Sequence, residues 1–348
     1  MKVRLATEAD SRRWDEYLDS APSNAPLNRY AWKEVLERSY GVRVRFLIAS
    51  NDGGDICGVL PTYATGDFVG TTRVYSLRFG LVADSDDVAN ALLSHLSDLC
   101  EENGAASTLV TSGYTRRDTQ LQEIRKTTIL MDLAQSEEAE WKSLRDKSRN
   151  MIRKGCASNL VAEKGFHNLQ DFYDIYCAVM LRKGIPIQSL HFFRTVVETL
   201  RAQSELIVAK RDDRVVGGLL ILFGKDVAIY PWQCSLPESQ QYAANQFLLW
   251  EAIKACLHRG ILTLDMGECM EGGSVYLFKK NFGGRPQDIY YYAGEPPGRS
   301  GSGRLSKPAR ARALGYLNSQ IGRMLTQRSP LWLRRKAGPR VRSRGRIL

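Results

Sequence analysis

The chain has 348 residues, 43% hydrophobic and 25% charged, with a formal net charge of +11 and a sequence pI near 9.3. That length predicts two domains of ordinary size, and the composition excludes collagen-like, disulfide-scaffold and wholly disordered classes. Residues 296–348 hold 14 of the 49 Lys and Arg and no Asp or Glu, so 35 basic face 38 acidic residues before them. The basicity is an appendage, not the mark of a nucleic-acid-binding core.

Seven cysteines are scattered without a CxxC pair, and none of the four histidines stands at ligand spacing to another His or Cys. No metal site is expected. The start, Met1 to Asp10, has no apolar leader, and no apolar run exceeds the nine residues 215–223. These features predict a cytoplasmic, reduced chain without a transmembrane helix.

In chain order, a helix capped at Thr7 is expected to run to about Ser20, and a second from about Asn28 to Tyr40 with Trp32, Val35 and Leu36 on one face. Strand-like runs follow at Val44 to Ser50, Ile56 to Tyr63 and Arg73 to Phe79. A helix striped with Val88, Leu92, Leu96 and Leu99 ends at Asn103-Gly104, and a strand covers Ser107 to Thr111. A basic helix over Glu137 to Ser158 carries Lys142, Arg145, Arg149 and Arg153 at a spacing that aligns four cations, either an anion track or a solvated face.

The same order then recurs. Helices are expected over Leu169 to Lys183 and His191 to Ala202, strands over Glu205 to Lys210, Arg214 to Phe223 and Val227 to Trp232, a helix from Asn245 to His258 and a strand to Met266. At an offset of 159, Leu47-Ile48 falls on Leu206-Ile207 and Gly58 on Gly217, which points to a duplicated unit. Pro231 cannot donate to a ladder and marks a bulge, edge or strand end. Asn245 is placed to cap the helix it opens, where free N–H groups make an anion site.

No phosphate-binding P-loop, nucleophile elbow or H-E-x-x-H is present, which argues against a nucleotide hydrolase, a serine hydrolase and a zinc protease. The order of Asn245-x-x-Leu248-x-Trp250-Glu251, Asp265-x-Gly267, and Phe278-Lys279-x-x-Phe282-Gly283-Gly284 before a Tyr-rich strand resembles FemAB-like proteins of the GNAT acyltransferase superfamily. Arg149 and Arg153 match that family's basic linking helix. The tail, with Pro330-Leu-Trp-Leu333, resembles the subgroup found with exosortase and exopolysaccharide systems.

The resemblance implies an α/β (α+β) chain of two tandem GNAT-like domains, each a mixed sheet flanked by helices: residues 1–135, a linking helix 136–160, residues 161–295 and a basic tail 296–348. It implies N-acyl transfer from acyl-CoA or aminoacyl-tRNA, as co-substrate, to an amine of a cell-envelope or exopolysaccharide precursor, with Lys279 tied to the donor. Acyl transfer needs a neutral amine, stabilisation of a tetrahedral oxyanion and a slot for a phosphate-bearing donor. Lys279 is a candidate for the positive charge, and Asp265 and Glu268 for taking the amine proton. Arg149, Arg153, Tyr230, Asn245, Tyr276 and Phe278 are candidate substrate- and donor-binding residues. Where many relatives carry Arg-Ser after D-x-G, this chain has Glu268-Cys269. Residues 308–346 form a basic amphipathic segment suited to peripheral membrane contact at the inner face, or to tRNA phosphates. The alternative reading is a non-catalytic GNAT-fold adaptor that binds membrane or RNA through that tail.

Overall fold

The computed structural model describes residues 1–21, 25–66, 71–102, 104–294 and 337–342. The first copy runs β1 (Lys2–Leu5), α1 (Ser11–Ser20), α2 (Trp32–Tyr40), β2 (Arg43–Ser50), β3 (Ile56–Gly66), β4 (Thr72–Ser76), β5 (Val82–Ala83), α3 (Asp86–Glu102), β6 (Ser107–Gly113) and β7 (Gln122–Asp132). Two helices, α4 (Glu137–Ser143) and α5 (Asp146–Ala157), join it to the second copy. That copy runs β8 (Val161–Lys164), α6 (Leu169–Arg182), α7 (Leu190–Thr199), β9 (Ser204–Arg211), β10 (Arg214–Phe223), β11 (Val227–Ser235), α8 (Ala244–His258), β12 (Thr263–Glu268), α9 (Ser274–Asn281) and β13 (Arg285–Gly294). The sequence pattern predicts no strand at β1, β5, β7 or β8.

All thirteen strands belong to one sheet, ordered β1-β2-β3-β4-β6-β13-β7-β12-β11-β10-β9-β8, with β5 alongside β3. Exchanging each strand for its counterpart in the other copy reads this order backwards. The copies trade their last strands: β13 lies antiparallel to β6 of the first copy, and β7 antiparallel to β12 of the second. Most pairs are antiparallel, but β4 with β6 and β11 with β12 are parallel.

One face of the sheet, with α1, α2, α6 and α7, builds a core common to both copies, including Trp14, Phe46, Phe172, Phe193 and Trp232. The opposite face carries two separate cores, Leu60, Leu92 and Leu96 under α3, and Leu219, Leu248 and Ile253 under α8. Gly58 and Gly217 lie beneath those helices, where a Cβ would stand 2.6 Å from Val88 and 3.1 Å from Leu248 respectively.

Two expectations are corrected. Leu47 pairs with Leu60, and Ile207 with Leu219, so Leu47 corresponds to Ile207 and the offset there is 160, not 159. A slip of one residue exchanges the faces of a strand, and only the 160 offset keeps both residues on the helix-α3/α8 side. The linking helix is interrupted because Leu144 and Arg145 are extended, at ψ 142° and 146°. Leu144 is buried, and the Arg145 guanidinium turns to Asn281 Oδ1 at 3.1 Å, so the four cations do not share one helix face. Of the tail, residues 337–342 form a short helix packed on Ile187, and the rest of 296–348 lies outside the described residues.

Candidate active site

The parallel strands β11 and β12 pair over only three positions, Val227–Thr263, Ala228–Leu264 and Ile229–Asp265. Beyond them each strand is bulged. On β11 the register against β10 shifts across Tyr230-Pro231, as a strand proline predicts, and on β12 the register against β7 shifts across Met266-Gly267. The strands turn apart and leave a cleft of about 630 Å³. Tyr230 to Ser235 line one wall; Met266 to Glu268, Phe278 and Lys279 line the other.

Gly267 (φ +87°) makes the turn possible, and its carbonyl accepts a 2.7 Å hydrogen bond from Lys279 Nζ. Lys279 is 6% exposed. Burial pushes its ammonium below the ordinary lysine value, with nearby Arg78 acting the same way, while Cys269, Asp265 and Glu268 oppose the shift. Across the cleft, the buried Tyr230 hydroxyl has no hydrogen-bond partner, and burial pushes it well up, so it remains a donor.

Asp265 is fully buried and does not reach the cleft wall. Its Oδ1 accepts from Thr128 Oγ1 at 2.6 Å and from the Gly267 amide at 2.8 Å; its Oδ2 accepts from Tyr114 at 3.1 Å and Arg78 at 3.3 Å. Three of these four donors come from the first copy. Burial works against the Arg78 charge, but Asp265 and Glu268 outweigh it and the guanidinium is held above its ordinary value. Glu268 lies on the wall, bonded to the Tyr291 hydroxyl, 3.5 Å from Lys126 Nζ and 3.8 Å from Arg78 Nε.

Arg78 reaches the cleft from the corresponding opening in the first copy. There β4 and β6 also diverge, but Phe79, itself at φ 59°, plugs the gap against Gly113, where a Cβ would lie 2.3 Å from the ring. Arg78 is the residue immediately before Phe79 and stacks over its ring at 4.9 Å.

The structure therefore brings Tyr230, Asn245, Glu268, Phe278 and Lys279 to one cleft. Arg149 and Arg153 are elsewhere: Arg149 bonds Asp146, and Arg153 stacks on Trp141 at 5.4 Å. Tyr276 points into the core under α8. Asn245 is the second residue of α8 and not its cap; Ala243, left-handed at φ 57°, holds that position. Sequence reasoning missed Arg78, Tyr114 and Thr128 because no local motif surrounds them; only the pairing of β12 with β7 and the plugged first opening carry them to Asp265.

Residues 141–279 match the family model of the acetyltransferase (GNAT) domain. The fold is similar to the crystal structure of FemX, at 14% identity and a TM-score of 0.65 over 83% of this chain and 97% of that one. The chain has a FemAB-like GNAT fold. A tandem GNAT protein from the clavulanic acid biosynthesis pathway is similar at 10% identity and a TM-score of 0.55, over 87% of this chain and 100% of that one. L-PGS from Bacillus licheniformis is similar at 12% identity and a TM-score of 0.51, over 83% and 96%. No curated protein matches the sequence. The domain match supports an acyltransferase, and the matched segment contains both β11 and β12 and ends on Lys279. Among the described residues no helix is long and apolar enough to cross a membrane.

Proposed function

We propose that the chain transfers an acyl or aminoacyl group, from acyl-CoA or aminoacyl-tRNA, to an amine of a cell-envelope or exopolysaccharide precursor, in the cleft between β11 and β12. The observation that carries this reading is the buried Lys279 on the wall of that cleft, facing a wall that holds the unpartnered Tyr230 hydroxyl. Of the described residues lining the cleft, Arg78, Arg182, Lys183, Lys279 and Arg342 are cationic and Glu268 alone is acidic. That balance suits a donor or acceptor bearing phosphates.

In the proposed reaction the neutral amine attacks the carbonyl carbon of the donor. A C–N bond forms, and the carbonyl oxygen takes the negative charge of the tetrahedral intermediate. The Lys279 ammonium, whose third N–H remains beyond those given to the Gly267 and Glu268 carbonyls, and the Tyr230 hydroxyl stabilise that oxygen. Glu268 accepts the amine proton and returns it to the departing thiolate or alkoxide as the C–S or C–O bond breaks. Asp265 takes no proton in this scheme, since both its oxygens already accept two hydrogen bonds. It positions the β12 turn and balances Arg78.

Purified protein incubated with acetyl-CoA or charged tRNA and amine-bearing envelope precursors is expected to form an amide. Lys279→Ala is expected to lower turnover by about 10²–10³-fold, the usual effect of removing one oxyanion donor. Unchanged turnover would remove Lys279 from the chemistry.

A further inference from the structure

Helix α9 buries a charged side chain beside Tyr276 and turns apolar ones outward. Its charged Lys279 faces inward at 6% exposure, while Val275 and Leu277 are 53% and 50% exposed, and Met270 in the preceding loop is 83% exposed. Single exposed apolar residues need no explanation, but a short helix that buries a lysine and presents valine and leucine to water does. Across the cleft, in the loop after α6, Ile185 is 41% exposed beside Arg182 and Lys183, both of which line the opening. Four of the eight large apolar side chains exposed among the described residues thus lie on the two segments that border the cleft.

Charge decides what fits this rim. Arg182, Lys183 and Arg342 line the opening, and exposed Lys280 extends the same helix as Leu277. Within the apolar stretch from Met270 to Leu277 the acidic side chain is Glu271. Apolar side chains flanked by cations are the chemistry of an anionic lipid interface, where the former enter the acyl boundary and the latter meet the headgroups.

We propose that Met270, Val275, Leu277 and Ile185, with their flanking cations, dock the mouth of the β11–β12 cleft onto an anionic lipid surface. The cleft then opens toward the bilayer, and a lipid-anchored amine can reach it without leaving the membrane. The docking itself does not depend on the acyl-transfer reading, since vesicle binding is measured without turnover.

The test is co-sedimentation of the full chain with phosphatidylcholine vesicles, with and without phosphatidylglycerol. Three variants accompany the parent chain: Met270→Ser with Val275→Ser and Leu277→Ser, Ile185→Ser, and Arg182→Gln with Lys183→Gln. Thermal melting checks that each is folded. Binding is expected only where phosphatidylglycerol is present, and the triple variant is expected to lower it about tenfold or more, while the charge variant binds more weakly at low salt and loses less as salt is added. Equal binding by the parent and the folded triple variant would overturn the proposal, as would binding indifferent to phosphatidylglycerol. So would a parent dimer that the triple variant converts to a monomer, because the rim would then be covered by a second copy.

Discussion

The Arg78–Asp265 contact joins the two copies beneath the cleft, and its strength can be worked out. Asp265 is fully buried, and Arg78 is the cation bonded to it, at 3.3 Å. Removing one member of a buried pair costs about 3–5 kcal/mol, because the other charge is left without compensation. Here Thr128, Tyr114 and the Gly267 amide still donate to the carboxylate, which places Arg78→Met at the lower end, about 3 kcal/mol. Asp265→Asn removes the charge but leaves Arg78 facing Glu268, at a cost of about 2 kcal/mol. With both changes the pair is gone and nothing charged is stranded, so the double variant is expected to lose about 3 kcal/mol in all, a coupling of about 2 kcal/mol. Urea unfolding of the four proteins, read by tryptophan fluorescence with the slope held common, measures this cycle. Additivity within about 0.5 kcal/mol would refute the claim that Arg78 acts through Asp265.

Gly113→Ala should destabilise the chain by about 2–4 kcal/mol, since the new methyl would lie 2.3 Å from the Phe79 ring on a residue already at φ +66°; Gly66→Ala, with nothing within 4 Å, serves as the control and should stay within about 0.5 kcal/mol in the same urea assay. Lys279→Met should lower turnover by the same roughly 10²–10³-fold while leaving the melting temperature equal or higher, because a buried ammonium is exchanged for an apolar chain of similar length. The Lys279 pKa is depressed on folding, so between that value and 10.5 the unfolded chain binds the extra proton and the parent gains stability as pH rises. The methionine variant should lack that gain, and parallel stability profiles for the two proteins across alkaline pH would contradict the buried-ammonium account.

The duplicated order of helices and strands was legible because its signals are local: Gly41 closing α2, the stripe of Leu92 and Leu96, and paired Gly58 and Gly217 under their helices. Strand β7 was not legible, since its first half, Gln122 to Thr127, is polar but for Ile124 and lies against β13 from 161 to 171 residues away. The cleft was half legible. Tyr230, Asn245, Glu268, Phe278 and Lys279 fall within one stretch, whereas Arg78 enters through pairing that no pattern in its own neighbourhood announces. Lys142, Arg145, Arg149 and Arg153 have the spacing of one shared helix face, but the extended backbone at Leu144 and Arg145 separates Lys142 on α4 from Arg149 and Arg153 on α5.

The exchange of β7 and β13 also sets the order in which the chain can be completed. The edge of β6 stays bare until residues 285–294 have been made, nearly 180 residues later. An unpaired strand edge is a template for wrong partners. During synthesis, at about 5–20 residues per second, the first copy therefore waits roughly ten seconds or more for the strand that covers it. Neither copy can be cut away and expected to fold, since each completes its sheet with the other's last strand.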